Sequence, residues 1–259
     1  MLNGKIALVT GAGSGIGKAS AKALAAQGAE ILALGIVEAE LVALCSEIEQ
    51  TGGKARFALA DISDFEQVRS GLALLLEASG RLDIVVANAG INGVWAPIDD
   101  LQPDEWHKTI SVNLTGTYNT LHLTVPYLKQ NGGGSIVIVS SMNGTRIFTT
   151  AGATAYIATK AAQFAMAQQL ALELAKHRIR VNAVCPGQIS TSIGDSTVKR
   201  NTIEAAIPVH WPEGDIPISG GRPGEPDDIA QAIMFLSSPQ AKHITGTPIW
   251  IDGGQSLLR

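Results

Sequence analysis

Tyr156 and Lys160, in the run Tyr156-Ile157-Ala158-Thr159-Lys160, are the residues of this sequence best suited to moving a proton. Four positions apart, they share one face of a helix. A free phenol titrates at about 10 and is a poor acid or base at neutral pH. A neighbouring ammonium favours the phenolate and draws that value toward the working range. Interconversion of an alcohol and a carbonyl by hydride transfer needs one such group. A second constellation, Thr10-Gly11-Ala12-Gly13-Ser14-Gly15-Ile16-Gly17, follows a β-branched run. Glycines there permit a tight strand-to-helix turn and a close approach to phosphate. The helix N-terminus beyond offers free N–H groups to an anion. Alone, this loop does not separate a dinucleotide from S-adenosylmethionine, or either from a plain turn.

These residues need a frame that holds them together. Short β-branched runs alternate with Ala/Leu-rich stretches of helical period. The pattern predicts strands at 5–10, 30–34, 56–60, 82–87, 135–139, 180–184 and 247–251. It predicts helices at 16–27, 38–50, 65–79, 104–129, 155–175 and 227–236, with Pro126 kinking the fourth or opening its last turn. Strands apolar on both faces, alternating with helices, define an α/β fold: a doubly wound (Rossmann-type), mostly parallel sheet with helices on both faces. One domain over 1–259 fits the length. The stretch 190–226 stands apart, rich in Pro, Gly, Ser and Thr, and follows a strand end where such sheets bind ligands. It is the expected substrate-loop region.

Reading Gly11, Gly15 and Gly17 as a set, the first loop resembles that of the short-chain dehydrogenase/reductase family. The resemblance continues in order along the chain. It runs through Asn88-Ala89-Gly90, Asn113 in Ser111-Val112-Asn113-Leu114-Thr115-Gly116, and Ser140-Ser141 at the end of the fifth strand. The Tyr–Lys pair and Pro186-Gly187-Gln188-Ile189-Ser190-Thr191 follow. Gly144, three residues past Ser141, selects Ser141 over Ser140. Two departures are visible: Ala87 replaces the family's usual Asn, and the interval from Ser141 to Tyr156 is slightly longer.

The resemblance implies an NAD(P)-dependent oxidoreductase interconverting a secondary alcohol and a ketone. Tyr156 is then the general acid/base, and Lys160 holds the nicotinamide ribose and lowers the phenol's pKa. Ser141 orients the substrate oxygen, and Asn113 relays the proton. Without the resemblance, Asn113 reads as a surface polar residue and Ser141 as a cap. The cofactor contacts implied are Gly11, Ser14, Gly15, Ile16 and Gly17; Asp61 and Ile62; Asn88, Ala89 and Gly90; Tyr156 and Lys160; and Pro186, Gly187, Ile189 and Thr191. Asn88 reads also as a brace of the sheet, and Asp61 as a helix N-cap. A homo-oligomer, most often a tetramer paired through the helices of Asn113 and Tyr156 and the last strand, is implied as well.

The choice between NAD and NADP turns on the end of the second strand. Gly35, Ile36 and Val37 stand there, without the family's usual Asp or Arg. Between Lys22 and Lys54 there is no Lys or Arg, while Glu38 and Glu40 are near. A 2′-phosphate would meet carboxylates and no cation, so NAD is favoured over NADP. Glu38 is the candidate for the ribose hydroxyls; Arg69 would reverse the preference if folding brought it close.

Composition excludes other classes. With 46% hydrophobic and 16% charged residues the chain is not disordered. Nineteen basic against 23 acidic residues, a net charge of −4, argue against nucleic acid as a partner. No apolar run is long enough to span a bilayer, and no secretory leader precedes the first strand, so a cytoplasmic enzyme without a membrane partner is expected. The histidines and the two cysteines, Cys45 and Cys185, lack metal-ligand spacing; the cysteines read as buried small hydrophobes. Trp106 and Trp250 read as packing residues. Trp95, Met142 and Trp211 are the candidates for a small-molecule alcohol or ketone site. Alternatives kept open are a 3-oxoacyl-carrier reductase of the same family, a catalytically silent dinucleotide-binding regulator, and a methyltransferase. Gly132 and His177, where acyl-carrier reductases tend to be basic, weigh against the first.

Overall fold

Alternate residues of each central strand feed two different cores, and that alternation builds the molecule. The computed structural model describes residues 1–77, 79–208 and 215–258. In chain order its main elements are β1 (Ile6–Thr10), α1 (Gly15–Ala26), β2 (Glu30–Gly35), α2 (Glu38–Gln50), β3 (Lys54–Leu59), α3 (Phe65–Leu76) and β4 (Ile84–Ala87). There follow β5 (Gly93–Trp95), α4 (Pro103–Ile110), α5 (Gly116–Gln130), β6 (Gly134–Val139), α6 (Thr154–Ala175) and β7 (Ile179–Pro186). Last come β8 (Thr197–Lys199), α7 (Pro226–Ser237) and β9 (Pro248–Ile251).

Seven strands form one parallel sheet in the order β3-β2-β1-β4-β6-β7-β9. Leu8, Leu32, Val85, Ile136 and Val181 point to the face covered by α3, α5 and α6, where Val68, Leu72, Leu121, Leu128 and Leu174 meet them. Val9, Ile31, Val86, Val137 and Val184 point to the other face, against Leu24, Leu41, Leu44, Ile229 and Ile233 of α1, α2 and α7. Each such buried Leu or Val contributes about 1.5–3 kcal/mol. The sheet is therefore doubly wound as expected, and strand order reverses between β1 and β4. The C-terminal ends of those two strands form the crevice where open α/β sheets bind ligands.

Two features depart from the pattern. The predicted helix 104–129 is two helices joined by a π-helical turn, Ser111–Thr115, with Pro126 inside α5. The stretch 190–226 is not structureless among its described residues. It holds a 3₁₀ turn (Ser192–Ser196) and β8, which pairs with β5 in a separate two-stranded sheet. Arg200 then clamps that sheet to the start of α4, donating to Glu105 at 2.8 Å and Asp100 at 3.0 Å. Among the described residues no helix is long and apolar enough to cross a membrane. Cys45 and Cys185 are buried and free.

Candidate active site

Thr10, the last residue of β1, organises the crevice. Its hydroxyl accepts from the backbone N–H of Asn88 (3.0 Å) and Ala89 (3.1 Å). Asn88 Nδ2 donates to Thr10 O (3.0 Å) and Gly11 O (3.2 Å), so Asn88 braces the two strand ends, one of its two expected roles. Gly11 has φ +61°, and a Cβ there would stand 2.9 Å from Ala89 Cα. A Cβ on Gly17 would collide with the Gly11 carbonyl. The loop is thus a cradle that only glycine backbone fits, opening onto the N-terminus of α1, which begins at Gly15 and Ile16. Ser14 at the N-cap makes no side-chain cap bond, and Ser192 Oγ approaches its hydroxyl at 3.5 Å. Thr191 Cγ2 lies 3.2 Å from a Cβ on Gly15, so the segment after β7 folds over the cradle. Pro186 O and Gly187 N tie that segment to Met142 and Ile251 at 2.9 and 3.0 Å, and Ile189 bridges Gly224. The donors, the cradle and the α1 N-terminus fit a dinucleotide's pyrophosphate.

The residues expected to move the proton lie together beside this cradle. Tyr156, Lys160, Ser141 and Asn113 are all buried. Lys160 Nζ lies 5.6 Å from the centroid of the Tyr156 ring and donates to Val139 O at 2.9 Å. A Cβ on Gly90 would be 3.1 Å from Asn113 Oδ1 and 3.8 Å from Lys160 Nζ, which brings the Asn-Ala-Gly turn between them. Ser140 and Ser141 separate by role. Ser140 Oγ donates to Lys160 O at 2.7 Å, whereas Ser141 Oγ accepts from Asn143 N at 3.1 Å and acts on the Tyr156 phenol. Of the two, only the Ser140 hydroxyl is spent on the backbone carbonyl of Lys160.

Asn113 is not a surface residue. It sits in the π-turn, where its Oδ1 accepts from Ile91 N (2.8 Å) and its Nδ2 donates to Ile91 O (2.9 Å) and Thr159 Oγ1 (3.2 Å). Its own carbonyl accepts from Thr117 Oγ1 (2.7 Å) and Gln163 Nε2 (2.8 Å). Wide turns of this kind recur at functional sites.

Burial sets the electrostatics of the pair. Burial pushes the Tyr156 phenol above its ordinary value, and the Ser141 hydroxyl offsets only part of that. The Lys160 ammonium donates to Val139 O. Burial lowers Lys160 itself to about 8.

The other candidates fall unevenly. Asp61 accepts from Ser63 N (2.9 Å) and Oγ (2.7 Å); the N-cap of α3 is Asp64 instead. Ile62 is buried toward α5, its carbonyl accepting from Asn119. Met142 is buried directly after Ser141. Trp95 lies on β5 with Lys199 Nζ 5.4 Å from its ring. Trp211 lies outside the described residues. Arg69 is paired with Glu66 on α3. The acid nearest the glycine loop is Glu40, not Glu38: its Oε2 is 2.5 Å from where a Gly13 Cβ would stand. Thr10, Thr145 and Gln163 have no site role legible from the sequence. Only Thr10 carries a signal, by ending a strand directly before the glycine loop.

A doubly wound sheet with a glycine cradle at its switch point and a buried Ser–Tyr–Lys–Asn set defines a dinucleotide-dependent oxidoreductase. The family model described as enoyl-(acyl carrier protein) reductase matches residues 11–256. A 3-oxoacyl-(acyl-carrier-protein) reductase of Thermotoga maritima is 38% identical over 255 residues, covering 98% of each chain. The crystal structure of a 3-ketoacyl-ACP reductase from Sinorhizobium meliloti 1021 superposes with a TM-score of 0.95 at 62% identity, covering 98% of this chain and all of that one. A 3-ketoacyl-(acyl-carrier-protein) reductase from Brucella melitensis, solved as a complex with NADH, superposes with a TM-score of 0.87 at 33% identity, covering 99% and 100%. The chain belongs to the short-chain dehydrogenase/reductase family and is an NAD(P)-dependent oxidoreductase acting on a small-molecule alcohol or ketone.

Proposed function

We propose that Tyr156 is the general acid/base of secondary alcohol–ketone interconversion, and that Ser141, Lys160 and Asn113 serve it. The observation that carries this is the convergence of all four, buried, beside the cradle of Gly11, Gly15 and Gly17. A bound nicotinamide would supply the hydride. The chain's part is to place and protonate. Ser141 Oγ orients the substrate oxygen and donates to it as charge develops. Tyr156 gives its proton to that oxygen in reduction and takes it in oxidation. Lys160 Nζ, set on the same helical face, would hold the ribose hydroxyls of a bound nucleotide, and stabilises the phenolate once it leaves Val139 O. Asn113 fixes the backbone at Ile91 and, with Thr159, keeps a polar route open from Lys160.

The cofactor would be held by the glycine loop with Ser14 and Ile16, by Asp61 and Ile62 on the adenine side, by Asn88, Ala89 and Gly90, and by Pro186, Gly187, Ile189 and Thr191 on the nicotinamide side. NAD is preferred. Glu40 stands over Gly13, no Lys or Arg lies between residues 22 and 54, and Arg69 is engaged with Glu66. The described parts of 190–226 cover the substrate together with Trp95, whose strand β5 pairs with β8 of that stretch, and Met142 follows Ser141 directly. The chain forms a cytoplasmic homotetramer. Leu172 on α6 and Tyr118 on α5 present apolar surface outward, which a second copy would cover.

A second reading, reduction of a 3-oxoacyl thioester, is favoured by the names of the three reductases compared. A turnover screen tests both. Simple ketones, hydroxy acids and 3-oxoacyl thioesters are offered with NADH and NADPH in parallel, following the reduced-nicotinamide absorbance. Turnover of ketones with NADH supports the first reading. Turnover confined to thioesters selects the second, and nucleotide binding without any turnover contradicts both.

A further inference from the structure

Ser141 is also held from behind, by residues that contribute nothing to proton transfer. Thr145 Oγ1 donates to Ser141 O at 2.7 Å, with Met142 O at 3.1 Å. The Trp250 indole on β9 donates to Thr145 Oγ1 at 3.1 Å. An indole N–H donates only, so it takes a lone pair of the threonine and leaves the single hydroxyl proton for the Ser141 carbonyl. The indole is itself fixed. The Arg146 guanidinium lies 3.6 Å from its ring centroid, Arg146 Nη1 donates to Ser256 Oγ at 3.3 Å, and Trp250 pairs in register with Cys185 of β7. On the other side of the turn, Met142 N donates to Pro186 O at 2.9 Å. The last strand and the segment after it are thus tied, side chain to side chain, to the peptide unit that carries Ser141.

We propose that Trp250 and Thr145 are positioning residues that aim the Ser141 hydroxyl at the Tyr156 phenol. The inference rests on the acid/base reading given above. The Ser141 side chain has one backbone partner of its own, Asn143 N, within the same turn. Its direction therefore follows the turn, and the turn follows Thr145. A misplacement of about 1 Å is enough to cost a reacting pair on the order of a hundredfold in rate.

The test uses the full chain with Thr145→Val, Trp250→Phe, the double variant, Thr145→Ser, and Tyr156→Phe as the baseline. Each is measured for kcat, KM, the pH profile of alcohol oxidation, nucleotide Kd and thermal midpoint. Thr145→Val and Trp250→Phe should each lower kcat roughly tenfold with nucleotide Kd unchanged. The double variant should lose no more than the worse single one, because both break one chain of contacts. Thr145→Ser, which keeps the hydroxyl, should recover most of the loss. The acidic limb of the profile should move upward in both single variants, since the Ser141 bond to the phenol is what they weaken. A wild-type kcat in Trp250→Phe would overturn the proposal. So would additive losses that follow thermal midpoint with an unmoved pH profile. Should Trp250→Phe not fold, Thr145→Val against Thr145→Ser decides the matter: equal losses overturn it. A fully active Tyr156→Phe sinks the acid/base reading and this one with it. An inactive Tyr156→Phe beside wild-type Thr145 and Trp250 variants overturns this one alone.

Discussion

Both ends of the sheet bury a charge, and they treat it in opposite ways. Where β1 and β4 begin, the Asp83 carboxylate is buried among Lys5 Nζ (2.8 Å), Arg81 Nη2 (2.7 Å), Ile6 N (3.0 Å) and Asn131 Nδ2 (2.9 Å). Burial alone would raise its pKa, but these donors bring it below the usual carboxylate range. Where the strands end, the Lys160 ammonium is equally buried, donates to a carbonyl, and has no carboxylate within ion-pair distance among the described residues. Its pKa falls to about 8. A fully partnered charge pins strands and stabilises the fold. A charge without a counter-ion is a cost that a folded chain keeps where chemistry needs it.

Substituting each charge should break the comparison in a predictable direction. Lys160→Met should lower turnover on the order of a thousandfold. The same variant should be more stable than the parent at pH 7, by about 1–2 kcal/mol, since an apolar side chain replaces a buried cation. The lysine titrates near 8 when folded and 10.5 when free, so by linkage the parent bears the cost below pH 8 and sheds it between those values. The stability gap should narrow over that range in denaturant titrations. Turnover kept, or a stability loss at pH 7, would contradict the contrast.

Asp83→Asn should do the reverse. It should leave kcat unchanged and lower stability by about 1–3 kcal/mol at neutral pH. Because the folded carboxyl is held below 3.8, its contribution is complete above that pH and disappears as pH falls through the folded value. Parent and variant should therefore converge in acid unfolding. A constant gap down to the lowest pH would mean that Asp83 acts through packing alone.

The smallest effect sharpens the contrast at the cofactor end. Glu40→Gln should tighten NADP binding roughly fivefold by fluorescence titration, with NAD unchanged within twofold, because one carboxylate beside the glycine loop is removed. Equal changes for both nucleotides would exclude Glu40 as the discriminating residue.

Much of this is legible in the sequence, for a physical reason. The parallel strands are buried on both faces, so their β-branched runs stand out, and every strand expected from them starts within two residues of an observed one. The Tyr–Lys pair and the glycine loop announce themselves by local spacing. What escapes depends on distant partners. Three-residue strands such as β5 and β8 carry no periodicity and exist because Gly93, Val94 and Trp95 meet Thr197, Val198 and Lys199. The π-turn and the burial of Asn113 require Ile91, Thr159 and Gln163, none adjacent in sequence. The phenol's upward shift comes from its burial, and no local spacing encodes that.

The enzymatic reading stands or falls on whether the Tyr156 hydroxyl exchanges the substrate's proton. The decisive measurement is turnover of Tyr156→Phe beside its nucleotide Kd. A loss of at least about a thousandfold in kcat is expected, with Kd within twofold of the parent. Turnover within tenfold of the parent, nucleotide binding intact, would contradict it.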